Sequence, residues 1–224
     1  MTNFHIITIF PEALETYFGS SILKRAREKK LIKIIFHNPR DFAEDKHRTT
    51  DDKPFGGGPG MVMKAEPIVK AVESVLKSEK GANPKNTKIV LFSPAGKQFT
   101  QKIAKNFAKK YDNFILVCGR YEGIDARVEK AIKNLKFRVE NLSIGPYVLT
   151  GGELPAAVIV DAVSRNIPEV LGRPESLEDE RGIGIPVYTR PEVFEHKGKK
   201  YRVPKALMSG HHKKIAEWRK KRAK

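Results

Sequence analysis

The sequence predicts an α/β fold in which a parallel sheet is covered by helices on both faces. Three observations predict it. Apolar, β-branched or aromatic runs of five to seven residues alternate with helical patterns along most of the chain, the signature of strands that recur through crossover helices. Phe4 to Phe10 and Leu31 to His37 bracket a helical stretch and so read as one βαβ unit. Three later strands each end in a glycine-containing loop, SPAG, GRYEG and SIGPYVLTGG. A parallel sheet puts all three at the edge where open α/β sheets bind ligands.

Each element has its local reason. FHIITIF stops at Pro11, and Pro11-Glu12 opens a helix through Leu14, Phe18, Ile22 and Leu23 to about Lys30. After the strand LIKIIFH comes a long loop, Asn38 to Lys64, containing RTTDDKPFGGGPGMVMK; loops of that length in a compact domain are functional or mobile. Its GGGPG lacks the Lys-Ser/Thr ending and the preceding strand of a phosphate loop. Ala65 to Lys77 is helical, Lys88 to Phe92 is a strand, and Thr100 caps a helix with Ile103, Ala104, Phe107 and Ala108 on one face. Phe114 to Cys118 is the next strand, followed by a helix with Val128, Ala131, Ile132 and Leu135. Phe137 to Leu142 is the last strand of the series, and the helix ELPAAVIVDAVSR follows its loop. That helix starts at Gly152 or Glu153, because an earlier start would push Pro155 beyond the tolerated first turn; Gly151 and Gly152 are then left to face a ligand. NIPEVLGRPESLEDERGIGIP reads as a linker, and beyond it a turn at Lys197 to Lys199 precedes a terminal helix capped by Ser209.

Composition narrows the function. At 224 residues and 40% hydrophobic the chain can bury a substantial core, and its net charge of +17 with pI near 9.9 points to a polyanionic partner. The charge is concentrated: His196 to Lys224 holds twelve Lys or Arg against one acid, Glu217. A basic arm of that kind favours nucleic acid. The apolar run at the start is too short for a signal peptide and no run is long enough to span a membrane, so the expectation is a cytoplasmic protein. A single cysteine, Cys118, excludes a disulfide framework and a multi-cysteine metal site, and as the end of FILVC it reads as a buried apolar residue. His211 and His212 are adjacent rather than four apart, so no metal is expected there.

CGRYEGIDARV, LSIGPYVLTGGELPAAVIVDAVSR, IPEVLG and YTRPE, with DDKPFGGGPGMVM before them, resemble the bacterial TrmD-type tRNA (guanine-37-N1)-methyltransferases, in family order from near residue 1 to near residue 220. The resemblance implies a SPOUT-class parallel sheet with a deep trefoil knot, spanning residues 1–165, a linker over 166–186 and a small, basic, helical tRNA-binding domain over 187–224. It implies a homodimer that holds S-adenosyl-L-methionine in the knot and takes the tRNA anticodon stem-loop across both subunits. Carried over by position, the donor is cradled by Ser93, Pro94 and Gly96, by Gly119, Tyr121 and Glu122, and by Ser143, Ile144, Gly145, Pro146, Tyr147, Val148 and Leu149 with Gly151 and Gly152.

Guanine N1 must lose a proton as it attacks, which calls for a base and for a cation near O6. The resemblance assigns these to Asp179 and Arg165, and gives Glu122 the positive groups of the donor. Each has a plainer alternative: Glu122 paired with Arg120 or Arg127, Arg165 with Asp161, and Asp179 as part of a solvated acidic run. The chain also departs from the family pattern. Pro146 replaces an aspartate, the stretch from IPEVLG to the base is one residue shorter so that Glu178 or Glu180 could serve instead, and Gly184 and Ile185 stand where an acidic residue is expected.

Overall fold

The computed structural model describes residues 1–172 and 184–222. The chain divides into two compact units, Met1–Leu171 and Gly172–Lys224.

The first unit is built on five parallel strands. In chain order its strands are β1 (Thr2–Ile7), β2 (Ile32–His37), the two-residue β3 (Asp51–Asp52) and β4 (Val62–Met63), then β5 (Thr87–Gln98), β6 (Asn113–Val117) and β7 (Arg138–Ser143). The main sheet runs β2-β1-β6-β5-β7 with every neighbouring pair parallel. Its helices are α1 (Glu12–Phe18), α2 (Ser21–Glu28), α3 (Ala65–Ser78), α4 (Gln101–Lys110), α5 (Arg127–Asn134) and α6 (Glu153–Ser164).

Strand alternation sends Phe4, Ile6, Val90, Phe114 and Leu116 to one face, beneath α1, α2, α4 and α6. Ile7, Ile89, Leu91, Ile115 and Val117 go to the other, beneath α3 and α5. Both faces are therefore covered, as uninterrupted apolar strands such as NFILV require. Phe114 stacks on Phe4 with centroids 5.1 Å apart and meets Phe107 and Tyr111 at its sides. Complete burial of such a ring is worth about 1.5–3 kcal/mol, so this aromatic group is a principal support of the α4 side.

Within this unit the structure departs from the sequence reading at three places. The single helix expected to run to about Lys30 is two, because Gly19 closes α1 through a 2.8 Å bond from its N–H to the Glu15 carbonyl and Ser20 is extended. A Cβ at position 19 would sit 3.1 Å from that same carbonyl. The strand expected to end at Phe92 resumes beyond it: Phe92 and Lys97 both lie opposite Leu142, so Ser93 to Gly96 bulge out of β5. The loop from Asn38 to Lys64 carries a 3₁₀ turn, Pro39–Phe42, and the small β3–β4 ladder.

Among the described residues, the second unit contains an antiparallel hairpin, β8 (Val193–His196) and β9 (Lys199–Arg202), and the short helices α7 (Lys205–Met208) and α8 (His212–Lys220). Lys197 and Gly198 both have positive φ, 48° and 72°, as a tight two-residue hairpin turn demands. Ser209 does not cap the terminal helix. It ends α7, where its hydroxyl donates to the Ala206 carbonyl, and α8 begins after His211. No described helix is long and apolar enough to cross a membrane.

Candidate functional site

The carboxyl ends of β5, β6 and β7 close around a cleft of about 230 Å³. From the β5 bulge come Phe92, Ser93 and Pro94; from the turn after β6, Gly119 to Ile124; from the loop after β7, Leu142 to Gly145 and Tyr147 to Gly152, with Pro155 of α6. All three glycine-bearing loops thus reach one site.

The loop after β7 is shaped by its own side chains. Ser143 Oγ donates to the Gly145 carbonyl at 2.8 Å and accepts from the Gly145 N–H at 3.2 Å. The Tyr147 ring folds over Gly145, where a Cβ would fall 2.1 Å from it, and its hydroxyl donates to the Ile144 carbonyl. Gly152 donates to the Gly119 carbonyl at 2.9 Å and caps α6, which starts at Glu153 as the position of Pro155 requires. Gly151 and Gly152 line the cleft, yet the space that their missing Cβ atoms leave is filled by protein. At Gly151 that space is taken by the Arg120 and Glu153 side chains, at Gly152 by the Cys118 backbone at 2.6 Å.

Sequence reasoning did not find the group that locks the loops together. Glu153, 3% exposed, accepts a 2.7 Å bond from the Thr8 hydroxyl with Oε1, while Oε2 lies 3.0 Å from Arg120 Nε. The approach is out of line for a hydrogen bond, so the second contact is an ion pair. The Arg120 guanidinium also lies 4.7 Å over the Phe10 ring and reaches the Thr150 carbonyl at 3.5 Å. The ends of β1 and β6 and the loop after β7 therefore meet on one carboxylate. A Glu at the first position of a helix was the available signal, since a carboxylate there suits the helix dipole. Its partners lie too far off in sequence to be read.

Glu122 stands in the wall of the cleft. Neither alternative partner engages it: Arg120 pairs with Glu153 and Arg127 with Asp125. Its N–H donates to the Met61 carbonyl at 3.0 Å, and a Cβ on Gly60 would come 2.7 Å from its Cγ, so the GGGPG loop packs directly against it. Met63 N–H donates to the Gly123 carbonyl and Asp125 N–H to the Met63 carbonyl, which fixes the long loop to the turn after β6.

Three of the sequence-assigned residues stand outside the lining. Gly96 instead lets β5 pass β7, since a Cβ there would lie 2.7 Å from the Asn141 carbonyl carbon. Pro146 is exposed in the middle of the loop, and Arg165 is exposed at the end of α6. Asp161, the alternative partner of Arg165, accepts a 2.7 Å bond from the Tyr17 hydroxyl, which pushes that phenol up to about 12. Asp179, with Glu178 and Glu180, lies outside the described residues. Cys118 is fully buried beneath the cleft, and burial, then the Glu153 carboxylate, pushes its thiol well above the usual range, so it offers no nucleophile.

A cleft with Phe92, Ile124, Leu142 and Pro155 as apolar walls, backbone groups of glycine turns at its rim and Glu122 at one side suits a flat heteroaromatic ligand that also carries positive charge. Comparison with known proteins gives that chemistry a family. The model of the tRNA (Guanine-1)-methyltransferase TrmD family matches residues 2–224. A tRNA (guanine-N(1)-)-methyltransferase of Dictyoglomus turgidum is 51% identical over 100% of this chain and 85% of its own length. Proteins of the same name from Thermomicrobium roseum and Clostridioides difficile are 51% and 45% identical, each over 97% of this chain and over 77% and 90% of their own lengths. With a family match along almost its whole length and relatives this similar, the chain belongs to the tRNA (Guanine-1)-methyltransferase TrmD family.

Proposed function

We propose that this protein transfers a methyl group from S-adenosyl-L-methionine to N1 of guanosine 37 in tRNA. The observation that carries the reading is the convergence of the three glycine-bearing loops on one cleft at the carboxyl edge of the sheet. The residues present fit the donor. The apolar walls accept its adenine, the backbone of Ile144, Gly145 and Tyr147 to Leu149 offers the close-range amides and carbonyls that a bent ligand needs, and the Glu122 carboxylate faces its positive groups. The donor supplies a methyl group on a positively charged sulfur.

Asp179 takes the N1 proton of guanine while the N1–CH3 bond forms and the S–CH3 bond breaks, its electron pair returning to sulfur as the neutral thioether. Arg165 balances the charge that moves toward guanine O6. Its place outside the donor cleft, with Asp161 held by Tyr17, leaves it available to the acceptor. The chain leaving the edge strand β7 returns past β5 to the end of β6, where Gly152 bonds Gly119, which is the path expected of a trefoil knot. Exposed Leu154 and Val158 on α6, with Val148 beside the cleft, supply the apolar strip that a second subunit covers in the proposed homodimer. The basic stretch over 187–224 binds the anticodon stem-loop, and the setting is cytoplasmic.

The test is incubation with methyl-labelled S-adenosyl-L-methionine and unmodified tRNA bearing guanosines at 36 and 37, with the modified nucleoside identified. Label absent from N1 of guanine sinks the reading. Asp179→Ala is expected to lose most turnover with donor binding kept. If Glu178→Ala or Glu180→Ala is the inactive variant instead, the base is that neighbour.

A further inference from the structure

Phe55 is 98% exposed, the most exposed large apolar side chain among the described residues. The hairpin that carries it is anchored at its base. Phe55 stands near the tip, and the base is the β3–β4 ladder, closed by a 2.8 Å bond from Lys64 N–H to the carbonyl of buried Thr50. Pro54 precedes it and stiffens the approach. Gly56, Gly57 and Gly58 follow with φ of +86°, +79° and +114°, and a Cβ on any of them would meet nothing within 4 Å. The far side of the hairpin then packs through Gly60 onto Glu122 in the cleft wall. Gly60 is five residues from Phe55, so the Phe55 Cα stands within about 18 Å of the Gly60 Cα, which adjoins that wall. The surroundings are a hydrogen-bonded base, a bare aromatic and a run of backbone with no side chains over it, on the loop that packs against the wall of the proposed donor site.

Such a ring has forgone the burial that nearly every other phenylalanine of this unit obtains. Its neighbourhood is not a cationic patch either, because Asp51 and Asp52 adjoin Lys53. What it offers is a π face at close range, which suits an unpaired nucleobase: bases of single-stranded loops are splayed onto aromatic side chains when they are recognised. Building on the tRNA methylation proposed above, we infer that Phe55 is a stacking platform for an unpaired base of the tRNA loop flanking the target guanine, and that the glycine run lets the RNA backbone approach beside it.

The inference is tested with the full-length protein by comparing Phe55→Ala and Phe55→Trp with the unaltered protein. The measurements are the dissociation constant for unmodified tRNA at several salt concentrations, the affinity for S-adenosyl-L-methionine, and the sedimentation velocity. For Phe55→Ala the expected result is a weakening of tRNA binding by about 5- to 150-fold, with donor affinity unchanged. The salt dependence keeps its slope, because no phosphate contact is lost. Phe55→Trp restores the tRNA affinity. The inference is overturned if Phe55→Ala binds tRNA normally, if Phe55→Trp behaves like alanine, or if the loss coincides with a change of sedimentation, which makes the ring a subunit contact. If the unaltered protein methylates no tRNA, the functional reading fails instead.

Discussion

At the scale of single residues, Glu153 decides most. Its carboxylate is buried, yet it bridges a strand-end hydroxyl and a guanidinium that is itself 23% exposed. Removing one member of a buried pair leaves the other charge without its partner, at a cost of about 3–5 kcal/mol when burial is complete. Arg120 keeps some solvent, the Phe10 ring and the Thr150 carbonyl, so Glu153→Ala is expected to cost less, about 2–3 kcal/mol. Urea unfolding measures this directly. Glu153→Gln keeps an acceptor for Thr8 and loses only the ion pair, and should fall between. A Glu153→Ala protein as stable as the original would mean that the three elements do not depend on this carboxylate for their junction.

At the scale of elements, the turn from Thr150 to Gly152 shows what a sequence discloses and what it withholds. The start of α6 was legible because Pro155 is tolerated only in a first turn, and the Thr100 cap was legible because its hydroxyl accepts from the Ile103 N–H three residues on. Such rules act within one turn of chain. The bulge at Ser93 to Gly96 was not legible, because it exists only where β5 meets β7, and neither was the Thr8–Glu153 bond, which joins residues 145 positions apart. The glycines were half legible. Their concentration marked the site, but Gly152 is glycine because the Cys118 backbone leaves no room, and its own φ of −82° suits any residue. Gly152→Ala must therefore displace backbone rather than a rotatable side chain. We expect a loss of about 1–3 kcal/mol in thermal or denaturant unfolding, together with weaker donor binding by calorimetric titration. Unchanged stability would show that the turn can slide away from β6.

At the scale of the whole molecule, the sheet carries a polar seam that couples its stability to pH. His5 in β1 is 1% exposed, its Nδ1 2.9 Å from His37 Nε2 at the end of β2. Burial, then the neighbouring His37 and Lys33, holds His5 down at about 4 instead of 6.5, and burial lowers His37 in the same direction. Glu79 approaches His5 Nε2 to 3.3 Å but is itself 21% exposed and shared with Asn3, so burial outweighs it. The folded protein therefore refuses a proton that the unfolded chain accepts. Stability is complete above about pH 6.5 and is lost as pH falls from there toward 4, by an amount on the order of 3 kcal/mol for His5. His37 adds to the same slope. Denaturant unfolding at intervals between pH 7 and 4 should show this decline, and the double variant His5→Gln with His37→Gln should flatten it. If the decline persists in that variant, the seam is not its source, and it comes from protonation of paired carboxylates such as Glu140 and from repulsion within a chain whose net charge is already +17 at neutral pH.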